Sequence, residues 1–306
     1  MRSVTWKACR VAKIIASAVI IVIVTIQLRN GTPHTYSSLE IFKSQAGHRD
    51  EDLWTDPLNE KSRIGKVTLM YEPNNSAFDR ALQTHKVHNQ FHGHPMLVQR
   101  RPMLEGFWAK PAAIQFALLR ELGKPESQRL LWLFWFDVDS VVVNYKVPLE
   151  AFLPPDKDNG FHDVKVVVSE DWNGLNNGVF ALFSSVIAFR NFRPNTSLPH
   201  EDQTAMKLLL QQPELARHSV TVPQRWFNAY TTGLNMPKES EIHPGDFLVH
   251  FAGVKYMANG IRNQRMMEWC KISERHDPQW SISPSENGLS LDIRQFWQRV
   301  KAQMQN

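Results

Sequence analysis

Leu131–Phe136 reads LWLFWF and runs without a break into Asp137-Val138-Asp139-Ser140. An apolar run on both parities is what a central strand covered on both faces requires, because successive side chains point to opposite faces. Side chains two apart in extended backbone share a face, so Asp137 and Asp139 can converge on one point at the strand's end. Two hard oxygen ligands there suit Mg²⁺ or Mn²⁺ shared with a phosphate. Without the metal, two such neighbouring carboxylates repel one another.

The elements on either side place this strand in an alternating pattern. Upstream, Lys66–Tyr71 (KVTLMY) is strand-like, and Ala77–Phe91 carries apolar residues at helical spacing. Pro111 suits the first turn of a second helix with Ile114, Leu118 and Leu119. Downstream, Val164–Ser169, His218–Val222 and Asp246–Phe251 read as strands, Gln203–Gln211 as a helix, and Leu291–Ala302 as a final amphipathic helix. Strands alternating with helices imply an α/β fold with a mostly parallel central sheet, flanking helices and a site at its carboxyl edge. His85, His88, His92 and His94 lack an acidic or cysteine partner and read as a packed, solvent-facing helix stripe rather than a zinc site.

The first thirty residues differ from the rest. Arg2, Lys7, Arg10, Lys13 and Arg29 are basic there, with no acid among them. Setting these five aside leaves 30 Lys and Arg against 30 Asp and Glu, from totals of 35 and 30. The body is therefore neutral despite the formal charge of +5, and a nucleic-acid partner is not expected. Ile14–Leu28 (IIASAVIIVIVTIQL) is an uncharged apolar run behind the basic residues. Residues 1–13 are expected to form a cytosolic tail and 14–28 a transmembrane signal-anchor, with 29–62 a stem and 63–306 a lumenal domain. A cleaved signal peptide is the alternative, but no small-x-small site follows Ile26. Sequons at Asn30, Asn74 and Asn195 agree with a lumenal address. The chain's 306 residues and 42% hydrophobic content exclude a disordered protein, and Cys9 and Cys270, its two cysteines, exclude a disulfide-stapled scaffold.

Taken alone, Asp137-Val138-Asp139 has several readings. It fits the DxD of nucleotide-sugar glycosyltransferases, and also the DxDx(T/V) of haloacid-dehalogenase-like phosphatases through Val141. It also fits a structural paired-acid turn. The blocks around it separate these. WLFWFDVDSVVVN, DWNGLNNGVF, EDQTAM, VPQRWFNAY and PGDFLVHFAG occur in that order within residues 65–275. Together they resemble the fungal Golgi α-galactosyltransferase and α-mannosyltransferase family, which also includes plant xyloglucan α-xylosyltransferases. The resemblance implies a GT-A fold, a nucleotide-sugar donor (UDP-galactose or GDP-mannose), Mn²⁺ dependence and retention of α configuration.

Residue by residue, the resemblance implies that Asp137 and Asp139 are metal ligands and that His250 is the third. It makes Lys255 a support for the leaving diphosphate, and Asn176 and Gly178 a loop that contacts the sugar. Asp202 and Gln203 match the pair beside the anomeric carbon, with Glu201 assisting. The expected activity is hexose transfer to a glycan or glycoprotein acceptor in the Golgi, from a single-pass type II membrane protein. After Ala181-Leu182-Phe183, about eight residues of the family's pattern, ~12 Å of helix, are absent. That departure motivates the alternative of a non-catalytic glycosyltransferase-like subunit of a Golgi complex.

Overall fold

In the computed structural model the described residues are 62–305, except 73, 102, 156–159, 184–197, 234–236 and 255–259. The tail and anchor, residues 29–61 of the stem expected over 29–62, the sequence departure after Phe183, and Lys255 lie outside them. Among the described residues, no helix is long and apolar enough to cross a membrane.

The strands are β1 (Ile64–Leu69), β2 (Met96–Gln99), β3 (Trp132–Phe136), β4 (Ser140–Val142), β5 (Val166–Asp171), β6 (Gly174–Phe183), β7 (Ser219–Val222), β8 (Ala229–Tyr230) and β9 (Leu248–His250). The helices are α1 (Ser76–His92), α2 (Ala109–Leu122), α3 (Glu201–Leu210), α4 (Pro213–Ala216), α5 (Ile261–Glu274) and α6 (Leu289–Met304). One sheet has the order β2-β1-β3-β6-β5-β7 and a second the order β4-β9-β8.

The parity of β3 sorts as its sequence requires. Trp132, Phe134 and Phe136 join a core with Phe152, Phe227 and Phe247. Leu133 and Trp135 enter another with Val67, Ile114 and Leu118. Burying such side chains contributes about 1.5–3 kcal/mol each, which fixes β3 at the centre. β1 pairs parallel with β2 and β3, and β5 pairs parallel with β7. β6 is antiparallel to both β3 and β5, so the sheet is mixed around one reversed strand. The reason is local: Trp172-Asn173 closes a two-residue hairpin, which only antiparallel strands allow. The LNNG segment therefore lies on a strand rather than in a loop or turn.

Helix α1 begins at Asn75, whose side chain accepts from the N–H groups of Ala77 and Phe78. It stops at Gly93, whose φ of +70° suits glycine. Its histidine stripe is not solvent-facing as expected. His85 and His88 are buried, as is His94 just past the helix. His88 Nε2 lies 2.8 Å from Val147 O, His92 Nε2 2.7 Å from Tyr145 O, and His85 Nε2 3.2 Å from Ser140 O. The chain around residues 140–147 leaves carbonyls facing α1, and imidazole N–H groups satisfy them. Lys66, fully buried, stands 3.0 Å from His88 Nδ1.

Candidate metal and donor site

The chain leaves β3 at Phe136 and turns at once, so Asp137-Val138-Asp139 is not extended as its spacing suggested. Three hydrogen bonds hold this turn. Asp137 N–H donates to Gly178 O at 2.7 Å, Ser140 Oγ donates to Asp137 O at 2.6 Å, and Phe251 N–H donates to Asp139 O at 2.9 Å. The last bond ties the turn to β9, whose final residue is His250. One ligand atom from each of Asp137, Asp139 and His250 lies within 4.8 Å of the others. Nε2 of His250 is 3.6 Å from Asp139 Oδ1 and 3.9 Å from Asp137 Oδ2.

The buried amide of Asn228 orients that imidazole. Its Nδ2 donates to Ser169 Oγ at 3.0 Å, which leaves Oδ1 2.6 Å from His250 Nδ1. An amide oxygen only accepts, so Nδ1 carries a proton toward it, and Nε2 is the ring atom that faces the two carboxylates. Gly178 makes room for the ring: a Cβ there would stand 2.0 Å from His250 Cε1. Two carboxylates and a neutral imidazole held by an outer amide form a donor set suited to Mn²⁺.

Each carboxylate also has its own cation. Lys110 Nζ lies 2.9 Å from Asp137 Oδ1 and 3.4 Å from Asp202 Oδ2, and donates to Asn177 O at 3.1 Å. Burial alone would lower the Lys110 pKa, but the charges of Asp137 and Asp202 outweigh it and hold the ammonium above its ordinary value. Arg262 Nη1 is 3.7 Å from Asp139 Oδ2. Burial pushes Asp137 up, and the neighbouring Asp139 charge adds to this. Burial acts the same way on Asp139, but His250 and Arg262 outweigh it and hold that carboxyl below its usual range. The bare repulsion expected from the sequence is thus offset by cations.

Lys110 joins the Asp137–Asp139–His250 cluster to the residues expected at the sugar. Asp202, buried in the first turn of α3, accepts from Asn177 Nδ2 at 2.7 Å. Gln203 Oε1 reaches Asn177 N–H at 3.5 Å. Glu201 opens the helix half-exposed with φ +43°, an uncommon value for a residue with a side chain. Asn176 faces elsewhere: its Nδ2 donates to Asp171 Oδ2 at 2.7 Å and its Oδ1 accepts from Gly178 N–H at 2.8 Å.

Sequence reasoning missed Lys110, Asn177, Asn228 and Arg262. For two of them a signal existed. Lys110 and Arg262 occupy the first turns of α2 and α5, where the helix dipole disfavours a cation. A cation in that place needs carboxylates from outside its helix, and both have them.

The mixed α/β sheet with flanking helices is GT-A-like. The structure is similar, with a TM-score of 0.50 and 14% identity, to a glycosyltransferase involved in the glycosylation of the major capsid of PBCV-1, covering 67% of this chain and 98% of that one. Residues 156–260 match the galactosyl transferase GMA12/MNN10 family. An alpha-1,2-galactosyltransferase of Schizosaccharomyces pombe is 26% identical over 225 residues, 58% of this chain and 57% of the relative. A probable alpha-1,2-galactosyltransferase, gmh1, of the same organism is 25% identical over 205 residues, 55% of this chain and 58% of the relative. The chain therefore spans less than two thirds of the length of the curated relatives it matches.

Proposed function

We propose that the chain is a metal-dependent, retaining α-hexosyltransferase that moves galactose, or secondarily mannose, from a nucleotide sugar to a glycan acceptor. One observation carries this reading: Asp137, Asp139 and His250 converge on one point, and Lys110 links that point to Asp202. When bound, a divalent cation such as Mn²⁺ supplies positive charge against the donor's diphosphate. Asp137, Asp139 and His250 are the residues that would hold it. Asn228 keeps His250 in the tautomer whose Nε2 is free, and Gly178 lets the ring lie against β6.

A donor spanning from the metal ligands to Asp202 passes Lys110, whose ammonium offsets the charge of its phosphates. Asp202, fixed by Asn177 and Lys110, offers negative charge where positive charge develops at the anomeric carbon, and the Gln203 amide accompanies it. These fixed dipoles and charges support attack by the acceptor hydroxyl on the face the leaving group departs from, which retains configuration.

Incubation of the purified chain with UDP-galactose, GDP-mannose and UDP-xylose, with and without Mn²⁺, tests the reading. The expected result is slow Mn²⁺-dependent hydrolysis of UDP-galactose above the other two. Release of sugar from none of the donors would contradict it.

The basic residues before an apolar run at 14–28 support a Golgi location with a single-pass anchor and a lumenal catalytic domain. The exposed Asn74 sequon agrees with that side of the membrane. Alkaline extraction checks the anchor: the intact chain should stay with the membrane pellet, and its release to the supernatant would count against it.

A further inference from the structure

Trp172 is the most exposed large hydrophobic residue among those described, with 66% of its surface open to solvent. It is the first of the two turn residues between β5 and β6. Nothing in a two-residue hairpin turn calls for an indole; such turns favour glycine, asparagine and aspartate. The tip that carries it is rigid. Asp171 Oδ1 accepts from Asn173 N–H at 2.6 Å, and Asp171 Oδ2 accepts from Asn176 Nδ2 at 2.7 Å and from the Tyr230 hydroxyl. The indole is thus held out into solvent on a braced support.

The place of this tip matters. β5 runs parallel to β3, since each is antiparallel to β6, so Asp171 and Asp137 lie at the same edge of the sheet. Helix α3, which carries Asp202 and Gln203, flanks the first part of β6. Asn177 meets Asp202 at one level, and the Cβ position of Gly174 lies 3.4 Å from Lys207 Nζ at the next. Three residues from Asn177 back to Gly174 cover about 10 Å of strand. Trp172 therefore stands beyond the sugar-transfer point by more than one ring of an acceptor chain.

We propose that Trp172 is a stacking platform for an oligosaccharide acceptor, engaging a sugar one or two units away from the ring that receives the hexose. This rests on the reading of the donor site given above. A pyranose presents one face of C–H groups that packs on an indole, while Asp171, Asn173 and Glu170 at the tip provide acceptors and donors for its hydroxyls. Tryptophan supplies large contact area with little side-chain entropy to lose, which suits a loop-borne binding residue.

Calorimetric titration of the full chain and of Trp172→Ala with a methyl glycoside and with the tetrasaccharide of the same sugar, in mannose and galactose series, tests this. Trp172→Ala should weaken tetrasaccharide binding about ten-fold and leave methyl glycoside binding unchanged, and Trp172→Phe should retain most of the affinity. Equal tetrasaccharide binding by wild type and Trp172→Ala, or no binding by either, overturns the proposal. So does a Trp172→Ala change confined to oligomeric state in sedimentation, which would make the indole a protein contact. Donor hydrolysis measured in parallel separates the two readings. Hydrolysis retained with unaffected tetrasaccharide binding refutes the platform alone. Absent hydrolysis with an intact Trp172 effect refutes the donor site alone.

Discussion

Asn228 Oδ1 lies 2.6 Å from Nδ1 of His250, and the other end of the same amide is fixed by Ser169 Oγ. The two residues come from different segments, 22 positions apart, and both are buried. Asn228→Ala should cost about 1–3 kcal/mol of stability, because it leaves the imidazole N–H and the Ser169 hydroxyl without their partner. It should also weaken Mn²⁺ binding about 10- to 100-fold by freeing the ring and its tautomer. Paired melting and Mn²⁺ titration check this, and unchanged metal affinity would remove Asn228 from the site.

Gly178→Ala places a methyl group 2.0 Å from His250 Cε1. The ring is the group that must move, since the Gly178 backbone is held by Asp137 N–H at its carbonyl and by Asn176 Oδ1 at its N–H. The expected cost is about 1–3 kcal/mol of stability with a marked loss of Mn²⁺ affinity. A variant that binds Mn²⁺ like wild type would show that His250 is not a ligand in its observed position.

Lys110 balances Asp137 and Asp202 together. Lys110→Met should destabilise the fold by about 3 kcal/mol by stranding the buried Asp202 carboxylate. It should also slow donor hydrolysis by at least about 10²-fold. Adding Asp202→Asn should recover much of the stability and none of the activity. Recovery of both would make the lysine purely structural.

The histidines under α1 set an acid limit on the fold. Burial and the neighbouring Lys66 hold His85 and His88 well below their ordinary pKa, and the same causes bring His94 down to about 3. His92 and Glu150 also face this cluster. Between these folded values and about 6.5 the unfolded chain binds protons that the folded chain refuses. Stability is therefore full above about pH 6.5 and is lost as the pH falls, by up to about 2 kcal/mol at pH 5 for each histidine kept neutral. Melting temperatures at pH 7 and pH 5 should differ, and His94→Leu should reduce the difference. A flat profile would contradict the buried neutral cluster.

Much of this architecture was legible because apolar parity is local. LWLFWF marked the central strand, and the DxD spacing marked Asp137 and Asp139 as an acidic pair at its end, from adjacent residues alone. His250 emerged only through resemblance, since a lone histidine on a strand has no local signature. Asn228 was not legible, because its role depends on a partner 22 positions away, and Lys110, whose partner is 27 positions away, left only the sign of a cation in a helix's first turn. β6 was misread as a loop because LNNG is turn-like in composition. On the strand, Asn176 and Asn177 are buried and their amides are paired with Asp171 and Asp202. The histidine stripe misled for the opposite reason. Polar residues at helical spacing suggest a wet face, and only the packed carbonyls of residues 140–147 make that face dry.

The central claim is that Asp137, Asp139 and His250 hold a divalent cation against a donor diphosphate. Calorimetric titration of Mn²⁺ in the presence of UDP, on wild type and Asp139→Asn, tests it most directly. Arg262 loses its carboxylate in the variant, so a small fall in melting temperature is expected with the fold retained. The account predicts one Mn²⁺–UDP site in wild type and loss of that binding in the folded variant. Equal Mn²⁺–UDP affinity in the two proteins would contradict it.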